Sequence, residues 1–324
     1  MVKNQLKWAI VGTGTIANEF ASQFPVENAS VYGIVSRTKE KAQAFAEKYQ
    51  IPQVFDEYSE LLKEEAIQVV YIATPHNTHH EYIMAALEAG KHVVCEKAIT
   101  VNKQQLDDAY QLAQRKNLYL FEAMTIHFMP LYQKIFQWLA EQNLGPLKMI
   151  QVNFGSYKDT NPNYYYFNKD LAGGALLDIG VYALHFTRWF LSSKPTEIHT
   201  LGNLHESGVD ESSVIILRNK ENELANISLT FHAKMPKQGM VVYEEGYVTI
   251  TDYPRSNKAT LTKLSGETVT FEEGKSEQGL QYEIAAISDI ILNEKENPYF
   301  QYSLDVLEVM DEVRKQWGLK YDFE

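Results

Sequence analysis

Leu6-Lys7-Trp8-Ala9-Ile10-Val11 runs directly into Gly12-Thr13-Gly14-Thr15-Ile16-Ala17. An apolar run of strand length meets a glycine turn and passes into a helical pattern, the context in which G-x-G-x-x-[GA] carries meaning. Gly12 permits a tight turn, Gly14 lets backbone approach a pyrophosphate, and Ala17 is small enough for the helix to pack closely on the strand. The helix N-terminus offers unpaired N–H groups and partial positive charge to phosphates. The glycine spacing alone also suits an ordinary βα turn. The strand before it and the helix after it favour dinucleotide binding, with Gly12, Thr13, Gly14, Thr15 and Ile16 as contacts.

Outward from this turn the pattern repeats. A helix is expected from Ile16 to Phe24, stopped near Pro25, then a strand over Ser30–Val35 and a helix over Lys39–Tyr49. In such folds the tip of the second strand reads the adenosine ribose: an acid there suits NAD, a cation suits the 2′-phosphate of NADP. Here the tip is Ser36-Arg37, with no acid before Glu40. A guanidinium can fork onto a phosphate, so NADP is favoured and NAD remains an alternative. Further strands are expected at Gln68–Ala73 and Lys91–Cys95, ending at Thr74-Pro75-His76-Asn77-Thr78-His79-His80 and Glu96-Lys97. Strands alternating with helices predict a doubly wound parallel sheet, with ligands beyond the carboxyl ends of its strands. Thr74, Pro75, His76, His79, Glu96 and Lys97 all fall there. The three histidines lack the helical H-E-x-x-H arrangement, and no metal site is expected. His79 and His80 are read as caps of the following helix, and Pro75-His76 as lining for the nicotinamide pocket.

Composition sets the outer limits. The 324 residues suggest two domains at roughly 150 residues each. A formal net charge of −12 disfavours nucleic acid and anionic membrane as partners. The single Cys95 excludes an internal disulfide and a cysteine zinc cluster, and fits a reducing cytoplasm. Lys3 and Lys7 precede Gly12, but no signal-peptide apolar core does. No run approaches the roughly 18 apolar residues of a membrane helix.

Gly12-Thr13-Gly14-Thr15-Ile16-Ala17, Ala73-Thr74-Pro75-His76-Asn77-Thr78-His79 and Val94-Cys95-Glu96-Lys97 together resemble the glucose–fructose oxidoreductase/inositol dehydrogenase family, Gfo/Idh/MocA. That family's usual Glu-Lys-Pro reads Glu96-Lys97-Ala98 here. A lysine at this strand end could hydrogen-bond a substrate hydroxyl and stabilise charge as its proton leaves. The competing reading is a surface lysine. Its position favours the functional role.

The second half changes character. A helix over Gln104–Lys116, a strand over Leu118–Met124 and a helix over Phe128–Gln142 lead into strands at Leu147–Tyr157, Val209–Arg218, Leu224–Phe231, Met240–Tyr253 and Ala259–Phe271. Period-two alternation in Leu224–Phe231 indicates a sheet with one core face. The expected architecture is a Rossmann domain, residues 1–122, and an α+β domain, residues 123–324, built on a large, mostly antiparallel open sheet. Helices are expected at Gln278–Asn293 and Tyr302–Gln316, the last returning to the nucleotide domain. The resemblance implies a homodimer through the sheet's free face.

Gly173-Gly174 opens a helix carrying Asp178, Tyr182 and His185 at spacings that share one face. These residues line a polar pocket, or they pack the helix on the sheet with Tyr182 as a core aromatic hydrogen-bonded by Asp178; His185 is the weaker candidate, read as lying behind the site or in the core. Where many family members read Asp-x-Gly-x-His, this chain has Tyr182. That resembles the branch of glucose–fructose oxidoreductase and the dimeric dihydrodiol dehydrogenases, in which tyrosine is the acid/base. The resemblance implies hydride transfer between nicotinamide and a secondary hydroxyl of a sugar, polyol or cyclic diol. Tyr182 would exchange the proton, Lys97 would lower its pKa, and Asp178 would orient substrate or lysine. The branch's usual Trp-Thr-Arg is Thr125-Ile126-His127 here, which argues against simply carrying over its diol substrate. The aromatic loop Asn161-Pro162-Asn163-Tyr164-Tyr165-Tyr166-Phe167 either covers a ring-bearing substrate or packs at a sheet edge or dimer contact. The alternative function is a non-catalytic dinucleotide or sugar sensor, against which the Lys97, Asp178 and Tyr182 set speaks. A third is a reductase of a larger ring such as a bilin, which needs a wide pocket.

Overall fold

The computed structural model describes residues 5–24, 26–161 and 164–324. The helix stop expected at Pro25, Lys3, and Pro162-Asn163 of the aromatic loop lie outside the described residues. The chain divides into two compact units.

The first unit comprises Met1–Thr100, Gln104–Met124 and Leu280–Phe300. Its sheet holds β1 (Leu6–Val11), β2 (Ala29–Val35), β3 (Gln53–Phe55), β4 (Val69–Ile72), β5 (His92–Glu96) and β6 (Leu120–Ala123). All its pairings are parallel, in the order β3-β2-β1-β4-β5-β6. The order reverses between β1 and β4, which opens a crevice at their carboxyl ends. Strands buried on both faces need apolar residues at consecutive positions, and Trp8-Ala9-Ile10 and Val69–Ile72 are all fully buried. Helices α1 (Thr15–Ser22), α2 (Lys39–Tyr49), α3 (Tyr58–Lys63), α4 (His76–Glu88) and α5 (Lys103–Arg115) alternate with them. The α1 residue Phe20 stacks on Tyr71 of β4 at 3.6 Å, worth about 0.5–1.5 kcal/mol beyond area burial. Strand β3 was not expected. It is three residues long and pairs only with β2, where Gly33 leaves room for the Phe55 ring.

The second unit comprises Val101–Lys103, Thr125–Gly279 and Gln301–Glu324. After α6 (Pro130–Ala140) come β7 (Leu147–Gly155) and α7 (Val181–Phe190). Strands β8 (Pro195–Leu204), β9 (Asp210–Asn219), β10 (Leu224–Thr230), β11 (Met235–Tyr243), β12 (Gly246–Thr251), β13 (Lys258–Lys263) and β14 (Thr268–Glu272) follow. They form an eight-stranded sheet in the order β14-β13-β12-β11-β7-β10-β9-β8, antiparallel except for β7 with β10. Ile150, Val152 and Phe154 of β7 face the core with Ala225, Ile227 and Leu229 of β10. Helix α7 packs on this face. A Cβ at Gly239 of β11 would meet the Phe186 ring at 2.2 Å, so that glycine lets the ring lie against strand backbone.

Edge strand β8 was not foreseen, because its Pro, Glu, His, Gly and Asn disfavour strands and it pairs only with β9. Of the two terminal helices, α8 (Gly279–Leu292) and the following segment group with the first unit, and α9 (Phe300–Trp317) lies mostly in the second, where its Arg314 donates to Val101 O and its Asp311 accepts the Lys103 N–H. Asn28 donates to the Ala285 carbonyl and Tyr119 to the Lys295 carbonyl. Asp305 of α9 pairs with Arg188 of α7 at 2.7 Å, and Trp317 donates to Thr200 of β8.

Candidate active site

In the first unit the loop after β1 has the shape a pyrophosphate requires. Gly12 takes φ +108°, donates its N–H to the Val35 carbonyl at 2.9 Å, and would place a Cβ 2.5 Å from the Ala73 carbonyl oxygen. No other residue type fits there. Gly14 is the N-cap of α1 with no side-chain cap, and a Cβ on it would meet nothing within 4 Å. The helix therefore starts with uncapped N–H groups facing open space, as a phosphate-binding N-terminus must. Thr13 and Ser36 meet side chain to side chain at 3.3 Å, joining this loop to the tip of β2. Arg37 is exposed, with no hydrogen bond or ion pair among the described residues.

The histidines do something other than cap. Helix α4 starts at His76, its N-cap is Pro75, and no side chain caps it. The fully buried His79 instead lies between two carbonyls, Nε2 2.8 Å from Thr74 O and Nδ1 3.0 Å from Ala98 O. Burial pulls its pKa down to about 4. His76 Nε2 lies 3.1 Å from Lys97 O. Both imidazoles thus grip the backbone around Lys97, and the Lys97–Ala98 peptide is cis. Glu122, which the sequence reading missed, accepts the Ile99 N–H at 3.1 Å from β6. Tyr71 donates to the buried Glu96. Lys97 is half-buried while Val93–Glu96 and Ala98–Val101 around it are buried, so its side chain alone reaches outward from this stretch.

The second unit carries Asp178 and Tyr182. Gly173 and Gly174 are fixed by what surrounds them. A Cβ on Gly173 would sit 2.4 Å from the Tyr165 carbonyl, and one on Gly174 (φ +119°) 2.2 Å from Asp210 Oδ1. Their absence of side chains lets the aromatic loop fold onto the helix start, where Gly174 N–H donates to Tyr166 O at 2.8 Å. It also lets buried Asp210 accept the Leu176 N–H at 2.7 Å. Burial raises the Asp210 carboxyl to about 7.

Residues Leu176–Gly180 form a π turn before α7, a feature frequent at functional sites. Asp178 is almost fully buried within it. Lys158, also missed from sequence, places Nζ 3.7 Å from Asp178 Oδ2 and 4.1 Å from the Tyr166 ring centroid. Tyr165 donates to Asp178 Oδ1 at 3.4 Å. Desolvation and then the Asp178 charge raise the Tyr165 phenol well above its ordinary value. Tyr165 thus stays protonated and serves Asp178 as a hydrogen-bond donor. The aromatic loop is therefore part of the Asp178 environment. Tyr182 is half-buried, 6.3 Å from the Phe154 ring.

His185 takes the core position favoured for it from sequence. Its Nδ1 lies 2.9 Å from Nε2 of His127, both fully enclosed, with Trp189 and Tyr302 against His127 at 4.5 and 5.5 Å. Burial and then the His185 ring push the His127 pKa well down. The position that usually carries a cation thus holds a buried imidazole.

Residues 6–124 match the oxidoreductase family with an NAD-binding Rossmann fold, and residues 132–249 match the GFO/IDH/MocA C-terminal domain. Trans-1,2-dihydrobenzene-1,2-diol dehydrogenase of Xenopus laevis is 33% identical over 97% of this chain and 99% of its own. The human protein of that name is 28% identical over 98% of each. Among solved structures, a 3-ketoreductase of Actinomadura kijaniata in complex with NADP and TDP-benzene superposes with a TM-score of 0.85 at 21% identity, covering 96% of this chain and 98% of that one. A levoglucosan dehydrogenase in complex with NADH and levoglucosan does so with 0.88 at 17%, covering 97% and 98%.

Proposed function

The chain belongs to the Gfo/Idh/MocA oxidoreductase family, with an NAD-binding Rossmann fold, and from that premise we propose an NADP-dependent dehydrogenase acting on a secondary hydroxyl or carbonyl of a sugar, polyol or cyclic diol. The carrying observation is the uncapped α1 N-terminus behind Gly12 and Gly14. The half-buried Lys97, held by His76, His79 and Glu122 at the end of the same crevice-forming sheet, supports it.

Gly12, Thr13, Gly14, Thr15 and Ile16 would hold the pyrophosphate, Ser36 and Arg37 the 2′-phosphate, and Thr74, Pro75, His76 and Glu96 the nicotinamide side. When bound, the nicotinamide supplies the hydride acceptor or donor. Tyr182 exchanges the hydroxyl proton at its phenolic oxygen. Lys97, as an ammonium, favours the phenolate and stabilises charge on the substrate oxygen. Asp178 orients the substrate hydroxyl. NADP is preferred over NAD because Arg37 is an uncommitted cation at the β2 tip and no acid stands there.

The same reading makes the open face of the large sheet a homodimer interface. The row Thr260, Thr249, Met240, Gln151, Asn226, Ile216 and His199 crosses seven strands without an acidic residue, in a chain of net charge −12. No described helix is long and apolar enough to cross a membrane. The single Cys95 is buried with its thiol pKa pushed up, which supports a cytoplasmic setting.

The test is fluorescence titration with NADPH and NADH, then a sugar and diol panel followed at the NADPH absorbance band, repeated on Lys97→Met and Tyr182→Phe. Tighter NADPH than NADH binding, with turnover lost in both variants and binding retained, is expected. Absence of nucleotide binding would overturn the whole reading.

A further inference from the structure

We propose that a cleft in the second unit, walled by α6, the end of α7, α9 and β11, is a binding site for a small organic cation of the methylated-ammonium type. Its lining includes none of the residues assigned above to the nucleotide or to proton transfer. The juxtaposition that carries it is a buried, unpaired carboxylate in the wall of an open cavity otherwise faced with aromatic rings.

The cavity measures about 510 Å³, within the roughly 300–1,000 Å³ of small-molecule sites. Phe136 of α6, Trp189 and Phe190 of α7, Tyr302 of α9 and Tyr243 of β11 line it, together with Glu223, which precedes β10. Phe136 lies 6.1 Å from Trp189 and 5.3 Å from Phe190, and Tyr302 lies 5.0 Å from Trp189, between ring centroids. These rings are tilted to one another and not stacked flat. Phe136 is 42% exposed, and Trp189, Tyr243 and Tyr302 are half-buried. The face of an aromatic ring carries negative potential, and several rings around one cavity suit a quaternary ammonium group.

Glu223 adds the formal charge, and it is only 6% exposed. Its Oε2 accepts from the Ser192 N–H at 2.9 Å and from Asn219 Nδ2 at 2.6 Å, and its Oε1 accepts from Ser192 Oγ at 2.6 Å. All three donors are neutral. They fix the carboxylate in place and pin the turn between β9 and β10, but they cancel no charge. A carboxylate has about four acceptor sites, so Oε1 keeps one. Buried charges are ordinarily paired, yet Glu223 has no ion pair among the described residues. The cations nearest to the lining along the chain are committed elsewhere: Arg188 to Asp305, Lys148 to Glu244, Lys194 to Glu308 and Lys220 to Glu221. The Tyr243 phenol is pushed up to about 12, by burial first and by the Glu223 charge second, so it stays neutral and offsets nothing.

These features select the ligand class. A metal ion would leave the rings unused, and no group of three metal-ligating side chains occurs among the described residues. A neutral ligand would leave the carboxylate unpaired. A methylated ammonium brings a diffuse charge for Glu223 and methyl surfaces for the rings, and it asks for no hydrogen-bond acceptor. The net charge of −12 adds long-range attraction for such a cation.

The experiment is calorimetry on the full chain with choline and with 3,3-dimethylbutanol, its neutral carbon isostere, for the wild type, Glu223→Gln and Phe136→Ala. Choline should bind the wild type about tenfold more tightly than the isostere, the worth of a charge over aromatic faces in a desolvated site. Glu223→Gln should bring choline down to the affinity of the isostere. Phe136→Ala, at a ring already largely in water, should weaken choline by about three- to tenfold with the melting temperature little changed. Saturating NADPH should leave choline affinity as it was. Absence of choline binding to the wild type at tens of millimolar, or equal affinity for choline and isostere, would overturn the site. Displacement of choline by NADPH would move the cation to the nucleotide loop and overturn it too. So would unchanged choline affinity in Phe136→Ala, which decides the matter even where Glu223→Gln loosens the turn.

Discussion

His79 concentrates two jobs in one ring. It sits between the Thr74 and Ala98 carbonyls, at the end of β4 and just after Lys97, as a fully buried imidazole whose pKa is pulled down to about 4; neutral at pH 7, it donates its one N–H to one of the two. An unfolded histidine titrates at about 6.5. Between those values the unfolded chain binds the extra proton, so stability rises with pH across that window. The contribution is complete above about pH 6.5 and lost as pH falls toward 4, amounting to about 3 kcal/mol. His92, lowered to about 4, acts in the same direction, whereas Asp210, raised to about 7, acts oppositely. We expect the melting temperature to fall between pH 7 and 4.5, and to fall less steeply in His79→Gln. A parallel slope in the variant would show that His79 is not the group responsible. A second residue-scale prediction concerns Arg37. Arg37→Ala should weaken NADPH by about ten- to a hundredfold, the worth of a charge-assisted contact, and leave NADH within about twofold. An equal loss for both nucleotides would detach Arg37 from the 2′-phosphate. At this scale periodicity placed the glycine turn, Arg37 and Lys97 at strand ends, which is why they could be singled out. It gave no partner for Lys158 or Glu122, whose contacts Asp178 and Ile99 lie 20 and 23 positions away in the chain.

Between residue and domain, the start of the α7 region is the element on which the second unit's site depends. The loop 165–168, the Gly173-Gly174 pair, Asp210 and the π turn interlock. Tyr321 donates to Gly173 O at 2.8 Å from beyond α9. Arg314, in α9, donates to Val101 O at 2.9 Å and pairs with Glu324 at 2.8 Å. Gly174→Ala must find room for a methyl already occupied by Asp210, at a φ that costs about 1–3 kcal/mol for a side-chain-bearing residue. The expected result in urea unfolding is a loss of at least that size, with turnover abolished. NADPH affinity should stay intact, because Gly12 and Gly14 lie in the other unit. Loss of NADPH binding together with turnover would mean that the two units do not respond separately. Elements were legible where side chains repeat: the buried parallel strands, the amphipathic helices and the alternating β10. The three-residue β3, the polar edge strand β8 and the π turn carry no such repeat. His185, the weakest of the three candidates by sequence, sits in a buried pair with His127.

For the molecule as a whole, the division into two units was readable from the change between βα alternation and period-two strands. The placement of the last helices was not. Both α8 and α9 have apolar faces, and the deciding contacts, Tyr119 with Lys295 and Arg188 with Asp305, join residues more than a hundred positions apart. The open sheet face carries the last prediction. Ile216 and Leu201 are 49% and 83% exposed, and Val214 lies beside Leu201 across the β9 and β8 pairing. Arg218 and Glu197, the charges near this edge, neutralise each other in an exposed ion pair. On the proposed reading, this uncharged row in a chain of net charge −12 is where two copies can approach with least repulsion and bury Ile216, Val214 and Leu201. Ile216→Glu buries an unpaired charge in each copy of such a twofold contact, at little cost to the folded monomer, whose side chain there is already half in water. Sedimentation velocity should show a dimer for the wild type and a monomer for Ile216→Glu, with NADPH affinity unchanged in the variant. A wild type that sediments as a monomer at micromolar concentration would remove the interface from this face.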